Sequence, residues 1–317
     1  MQGEAVAVAR RLAEQVLRPD AAAVDGADRV PEAHLRALDV AGLTGHSTSG
    51  ADLAERVDVT AALAGGCLAT AFVWIQHQGA LAAVARSTGP AARFAPALAC
   101  GELRAGVVVT AVRGPSPLRI AEAADGWALT GSAPWVTGWG VVDVLRVAAV
   151  DERGDIRTVL VDVGPAMVAE PARLVAANAS GTVTLSFDGA PVPHDRALDV
   201  VTAEDWAAAD AAGLALNGAL PLGVAAEVAE LLDSASLGRQ VAEARDALLL
   251  AGVEGLPAAR ATCAALALRA ASALAVQDGG RGVIAASRSD RLLREAHFLL
   301  AFGSRPAIKA DLLARLG

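Results

Sequence analysis

Residues 126–140, GWALTGSAPWVTGWG, read as a tight hairpin whose second strand ends in an aromatic, a hydroxyl and two glycines. Trp135 offers a large rigid face at little entropic cost, and Thr137 offers one polar contact. Gly138 and Gly140 let backbone come close to a ligand. A strand ending this way can present a surface to a flat molecule. The alternative is an ordinary hairpin whose tryptophan belongs to the core.

Working outward, the pattern on both sides is Val, Thr and Trp runs punctuated by Gly, Pro and Asp, with strands expected over 107–110, 127–130, 141–150, 158–163 and 182–187. The first hundred residues instead carry helical periodicity: an amphipathic first segment, a break at Pro19-Asp20, a helix from Pro31 to Gly42, then an uncharged stretch over 59–85. That stretch is long enough to span a bilayer, but its paired glycines, its alanine content and Gln76-His77-Gln78 fit a helix buried among helices, so no membrane is expected. Helices return after Asp199, over 204–232, 238–251, 257–277, 289–302 and from Pro306. The expected organisation is an α+β multidomain fold: an N-terminal α domain (1–104), a middle β barrel or sandwich (105–198) and a C-terminal helical bundle (199–317).

The composition narrows the function. Of 317 residues, 54% are hydrophobic but only 3% aromatic, so the core must rest on Leu, Val and closely packed Ala. A net charge of −8 without any Lys/Arg cluster argues against a nucleic-acid partner, whose phosphates demand a basic surface. Cys67, Cys100 and Cys263 are odd in number, far apart and set in apolar sequence, which reads as a reducing, cytoplasmic setting with no metal site. The charged N-terminus does not read as a signal peptide. No P-loop, dinucleotide fingerprint or zinc motif is present; Gly279-Gly280-Arg281-Gly282 has the wrong spacing and follows a helix.

Gly126-Trp127-x-Leu129-x-Gly131 followed by Pro134-Trp135-Val136-Thr137-Gly138 resembles the flavin-contacting segment of acyl-CoA dehydrogenases. Four further segments fit in the same order. RFAPALACGEL (93–103) resembles the run that leads into the family's middle domain, and 107–110 resembles the strand that delivers a threonine to the flavin. TVTLSFDGAPVP (182–193) is similar to T-x-x-L-x-FDGV-x-VP, and Arg291-Leu-Leu-Arg294-Glu295-Ala296 to R-x-x-RD-A.

The resemblance implies an FAD-dependent oxidoreductase of acyl-CoA or a related acyl thioester, of the kind found in lipid metabolism. It implies cofactor contacts from Thr110, Gly114, Ser116, Trp135, Val136 and Thr137, and from Gln277, Gly279 and Gly280 across a subunit boundary. A dimer or tetramer is implied, homo-oligomeric or formed with a related dehydrogenase subunit.

The family removes an α-proton with a glutamate at one of two places. Laying this sequence onto the motifs puts Gly303 at one and Gly213 at the other, counting back from Leu222-Gly223. Neither can accept a proton, and losing a positioned base costs about 10²–10⁴-fold in rate. The expectation is therefore a subunit with no catalytic residue of its own at these places, relying on a partner chain for the base. Asp210 and Glu295 are the nearest carboxylates, with ion-pairing roles as the alternative. The family's Arg-x-x-Phe-Gly survives at best as Leu237-Gly238-Arg239. A second reading is a flavin-dependent monooxygenase of the same fold, with His77 as acid/base; a third is a non-catalytic acyl- or flavin-binding member. His77 in a helical core, His297 as a surface or packing residue, and Ser304-Arg305 as a helix cap are the plain structural alternatives for those residues.

Overall fold

The computed structural model describes residues 3–303 and 305–317. Helix α1 (Glu4–Leu12) runs through one π turn, Ala13–Leu17, into α2 (Arg18–Asp25); α3 (Glu32–Val40), α4 (Leu53–Gly66), α5 (Leu68–Arg86) and α6 (Ala95–Ala99) follow. Eight strands come next: β1 (Ala105–Val108), β2 (Arg119–Ala123), β3 (Gly126–Val136), β4 (Val144–Val150), β5 (Ile156–Asp162), β6 (Met167–Pro171), β7 (Val183–Pro193) and β8 (Ala197–Val201). The chain finishes with α7 (Ala203–Ala212), α8 (Leu214–Leu231), α9 (Ala235–Leu250), α10 (Gly252–Asp278), α11 (Arg288–Ala301) and α12 (Pro306–Leu316).

The uncharged stretch is two helices rather than one. Asp52 caps α4 by accepting from the Glu55 amide at 2.8 Å, and the helix stops at Gly66 because Cys67 is extended. Gly65 lies against the Gly223 carbonyl of α8, and a side chain at Gly223 would collide with the Ala61 carbonyl. This glycine contact brings α4 and α8 together more closely than any side chain would permit. The side chains of α5 are mostly buried against the rest of the chain. The two helical regions share one apolar core, with Leu63 and Leu68 packing in the same cluster as Leu220, Val224, Leu266 and Leu299. The long helix expected over 204–232 is likewise interrupted, at Gly213, giving α7 and α8.

The strands form a single sheet in the order β6-β7-β3-β2-β4-β5-β8, with β1 parallel to β4. Leu129, Leu145, Val147, Val159 and Leu185 meet in its core. The sequence reading missed β2, β6 and β8, which are short and largely exposed and therefore lack the apolar alternation it relied on.

The hairpin expected within 126–140 is not there. All of Gly126–Val136 is one strand, paired with β7 along its length and with β2 over its first half. The hairpin turn lies earlier, at Ala124-Asp125. Gly131 and Pro134 look like turn residues in sequence, but the pairing with β7 continues past Gly131, and Pro134 falls where the register shifts between Ala133 and Val136. Proline has no amide to pair, and a bulge is one of the few interior places a sheet tolerates it.

Candidate functional site

The bulge sets the site. It places Trp135 in the left-handed region at φ 66° and turns its side chain out, 63% exposed, whereas Val136 and Thr137 point inward. Non-glycine residues adopt this backbone rarely, and it costs roughly 1–2 kcal/mol. Thr110, just past β1, donates its hydroxyl to the Pro134 carbonyl at 2.9 Å, so the ends of β1 and β3 are tied at the bulge.

Thr137 is only 2% exposed, and its hydroxyl lies 3.2 Å from that of Thr182, which in turn lies 2.8 Å from the Ser180 hydroxyl. Three hydroxyls in a row carry three protons for two internal hydrogen bonds, so one donor is left over. Backbone bonds from the Gly138 amide to the Ser180 carbonyl (2.8 Å) and from the Trp139 amide to the Gly181 carbonyl (3.1 Å) hold the arrangement. Gly114 and Ser116 lie exposed on the loop that follows Thr110.

Helix α5 connects this rim to the C-terminal helices. A Cβ at Gly138 would sit 3.8 Å from Val73, and the neighbouring Phe72 meets Phe302 edge-on at 4.7 Å and Phe298 at 5.6 Å. Buried Arg260 donates to the Leu299 and Phe302 carbonyls at 2.7 and 2.5 Å, capping α11. Burial pulls its pKa down to about 10. The next residue is Gly303, at φ 60°, and a side chain there would meet only the Asn217 amide, at 3.6 Å. Asn217 is one turn along α8 from Gly213. Both positions aligned with the family's base are therefore on or beside α8, and both are glycine.

Asp210 lies between them and is committed to two guanidinium groups. Arg113, on the loop after Thr110, reaches one oxygen at 2.5 Å, and Arg305 reaches the other at 2.7 Å while also donating to the Asp210 backbone carbonyl at 3.0 Å. Burial holds the Arg305 pKa below its ordinary value, with Asp210 opposing that shift. A carboxylate clamped in this way bridges the β region to both ends of the C-terminal helices and offers little as a base. Arg113 had no signal in the sequence, since its partner is 97 residues away.

The remaining candidates resolve as follows. His77 is buried, its Nε2 donating to the Leu98 carbonyl at 3.1 Å and its Nδ1 accepting from the Ala105 amide at 3.1 Å. Burial first of all, against the Leu98 carbonyl, lowers its pKa from 6.5 to about 4. It is a neutral tie between α5, α6 and β1, and both ring nitrogens are used, which removes it as the acid/base of the monooxygenase reading. Glu295 is buried and paired with Arg291 at 2.7 Å; burial raises its pKa and Arg291 opposes the rise. His297 is exposed on α11. Gln277, Gly279 and Gly280 lie exposed at the end of α10, with no hydrogen bond or ion pair to the cluster above among the described residues. Burial pushes the Cys67 thiol up and that of Cys263 to about 12, so neither is a nucleophile; Cys100 is exposed. Ser304 lies outside the described residues. Pro134, Ser180 and Thr182 also belong to this arrangement; the sequence reading quoted Pro134 and Thr182 within motifs without giving them a role, and did not single out Ser180. A hydroxyl two residues before Thr182 was a visible hint, but nothing local pointed it at Thr137.

No family model matches the sequence, and no curated protein matches it. Solved structures do. Butyryl-CoA dehydrogenase from Megasphaera elsdenii superposes with a TM-score of 0.86 at 17% identity, covering 99% of this chain and 97% of that one. Glutaryl-CoA dehydrogenase from Mycobacterium smegmatis gives 0.84 at 18%, covering 99% and 94%. A dibenzothiophene monooxygenase from Paenibacillus sp. A11-2 gives 0.76 at 17%, covering 98% and 96%. Superposition over nearly the whole of both chains, with the helix–sheet–helix order preserved, establishes that this chain has the acyl-CoA dehydrogenase fold.

Proposed function

We propose that the chain is an FAD-binding subunit of an acyl thioester oxidoreductase that lacks its own base. The observation that carries this reading is the exposed, strained Trp135 at the β3 bulge, set beside a buried hydroxyl relay, in a chain with glycine at both positions aligned with the base. Strain at a non-glycine residue persists where the surrounding structure over-determines it, and such places cluster at ligand sites.

The residues present fit FAD. Trp135 presents an uncovered aromatic face, which a flat ring system can cover. Run in the direction Ser180 to Thr182 to Thr137, the relay leaves the Thr137 hydroxyl with a free proton to donate. The Thr110 backbone and the exposed Gly114–Ser116 loop are open to the polar edge and phosphates of such a cofactor, and Gln277, Gly279 and Gly280 are available to one held by a second subunit. When bound, FAD supplies the hydride acceptor for α,β-dehydrogenation of a substrate such as acyl-CoA.

The chain's own residues would then bind and orient. The Gly303 amide can polarise a thioester carbonyl, and Phe72, Phe298 and Phe302 exclude water behind it. Removal of the α-proton requires a carboxylate that neither Gly303 nor Gly213 provides, so a partner chain of the same fold supplies it. His77 is locked into the core and gives the monooxygenase alternative no acid/base. The test is the visible spectrum of the purified protein, alone and co-expressed with the chains encoded beside it. Stable flavin absorbance, with acyl-CoA oxidation only in the co-expressed form, is the expected result. A protein that takes up no FAD in either preparation refutes the reading.

A further inference from the structure

Half-buried arginines in this protein are almost all neutralised. Arg104 rests on Asp39 at 2.7 Å, Arg245 on Asp58 at 2.5 Å, Arg294 on Asp25 at 2.5 Å and Arg305 on Asp210. Arg146, in the middle of β4, differs: among the described residues its guanidinium has no carboxylate or carbonyl partner, and its Nε is closed off from solvent without a hydrogen bond. Its guanidinium carbon lies 5.4 Å from the ring centroid of Trp206, in the first turn of α7, whose Nε1 is also buried without a partner. Two unsatisfied N–H donors thus sit on touching side chains, neither of them on a group that an ion pair or a carbonyl holds elsewhere.

Further positive charge surrounds them. Arg86, the last residue of α5, is exposed and has no acidic partner among the described residues. Burial first and the Arg86 charge second lower the Arg146 pKa to about 10, against the pull of Asp199 and Asp210. Those two carboxylates are engaged elsewhere, Asp199 with the Ser87 hydroxyl at 3.2 Å and Asp210 with Arg113 and Arg305. Arg56 on α4 is likewise unpaired, its pKa lowered by burial and then by Arg86. Arg146, Arg86 and Arg56 therefore have no ion-pair partner among the described residues, and Asp199 is the one carboxylate acting on Arg146 that no guanidinium holds.

We propose that Arg146, Arg86 and Trp206 form a binding site for a phosphate-type oxyanion. The charge matches: the Arg146 and Arg86 guanidinium groups carry two positive charges towards a dianion of about −1.5 to −2, whose acceptor oxygens can take the terminal N–H groups of Arg146 beside the Trp206 ring. The proposal does not rest on the flavin reading. The oxyanion can be free phosphate or a phosphate ester of a larger ligand, and the probes below distinguish the two.

The test uses the full chain at constant ionic strength, titrated separately with inorganic phosphate and with coenzyme A and followed by tryptophan fluorescence and by melting temperature. Wild type should give a saturable fluorescence change and a rise in melting temperature with phosphate. In Arg146→Gln and Arg86→Gln the affinity should fall at least about tenfold, and Trp206→Phe should remove the fluorescence change while the melting shift persists. Without phosphate, Arg146→Gln should melt at or above the wild-type temperature, because it removes a buried charge with no counter-ion. Coenzyme A binding at least about tenfold tighter than phosphate, and weakened in parallel by Arg146→Gln, assigns the site to a phosphate ester; coenzyme A binding that Arg146→Gln leaves unchanged, or that is no tighter than phosphate, assigns it to free phosphate. Wild type without saturable binding into the tens of millimolar, or Arg86→Gln and Arg146→Gln proteins that bind as wild type does, would overturn the proposal. Because the titrations use no flavin, they are read independently of any failure to bind FAD.

Discussion

Gly303→Glu tests the missing base most directly. Gly303 sits at φ 60°, where a side chain strains the backbone by about 1–2 kcal/mol. Space is no further obstacle, since a Cβ there meets only Asn217, at an ordinary contact distance of 3.6 Å. For a chain of 317 residues that strain lowers the melting temperature by about 2–3 °C if unfolding is two-state, so the variant should fold. The new carboxylate arises close to Arg305, whose charge favours its ionised form. If the chain lacks only a base, the substitution should raise the rate of flavin reduction by about 10²–10⁴-fold. The assay is anaerobic bleaching of the flavin's visible band after mixing with a panel of acyl-CoAs, wild type against variant. A variant that folds and holds FAD yet reduces it no faster with any acyl-CoA would show that more than the base is missing. Rapid reduction by the homogeneous wild type would place the base elsewhere and refute the partner argument.

Three other outcomes follow from the same geometry. Thr137→Val strands the buried Thr182 donor, at a cost of about 1–3 kcal/mol, so it should lower the melting temperature by a few degrees and weaken FAD binding about fivefold, the worth of one hydrogen bond of about 1 kcal/mol; unchanged affinity and redox potential by spectrophotometric titration would remove Thr137 from the site. Trp135→Gly relieves the left-handed strain, so it should melt no lower than wild type while losing flavin affinity, and a loss of stability in the flavin-free protein would mean that the exposed ring serves the fold. His77 gives a pH signature. Its pKa is about 4 folded and 6.5 unfolded, so the unfolded chain takes up a proton first and stability is lost as pH falls from about 6.5 towards 4. The loss approaches about 3 kcal/mol at the lower end. Urea denaturation across that range should show the slope in wild type and a smaller one in His77→Gln; equal slopes would contradict the neutral, buried assignment.

Most of the architecture was legible in the residues. Apolar periodicity and proline and glycine punctuation gave the helix–strand–helix order, because each signal acts within a few residues of itself. The two glycines aligned with the base positions were equally readable, since identity at a position needs no structure. Local signals failed where a distant partner decided the outcome. Gly131 and Pro134 have turn chemistry, yet the strand continues through them because β7 pairs along its length and absorbs the proline in a bulge. That bulge, rather than any motif, is what turns Trp135 outward and Thr137 inward. His77 could have been an acid/base or a core residue by sequence; the carbonyl of Leu98 and the amide of Ala105, brought to it by folding, made it a core residue. The clamp of Arg113 and Arg305 on Asp210 and the unpaired state of Arg146 belong wholly to tertiary structure. Charge pairing depends on distance in space, and chain order carries almost no information about it.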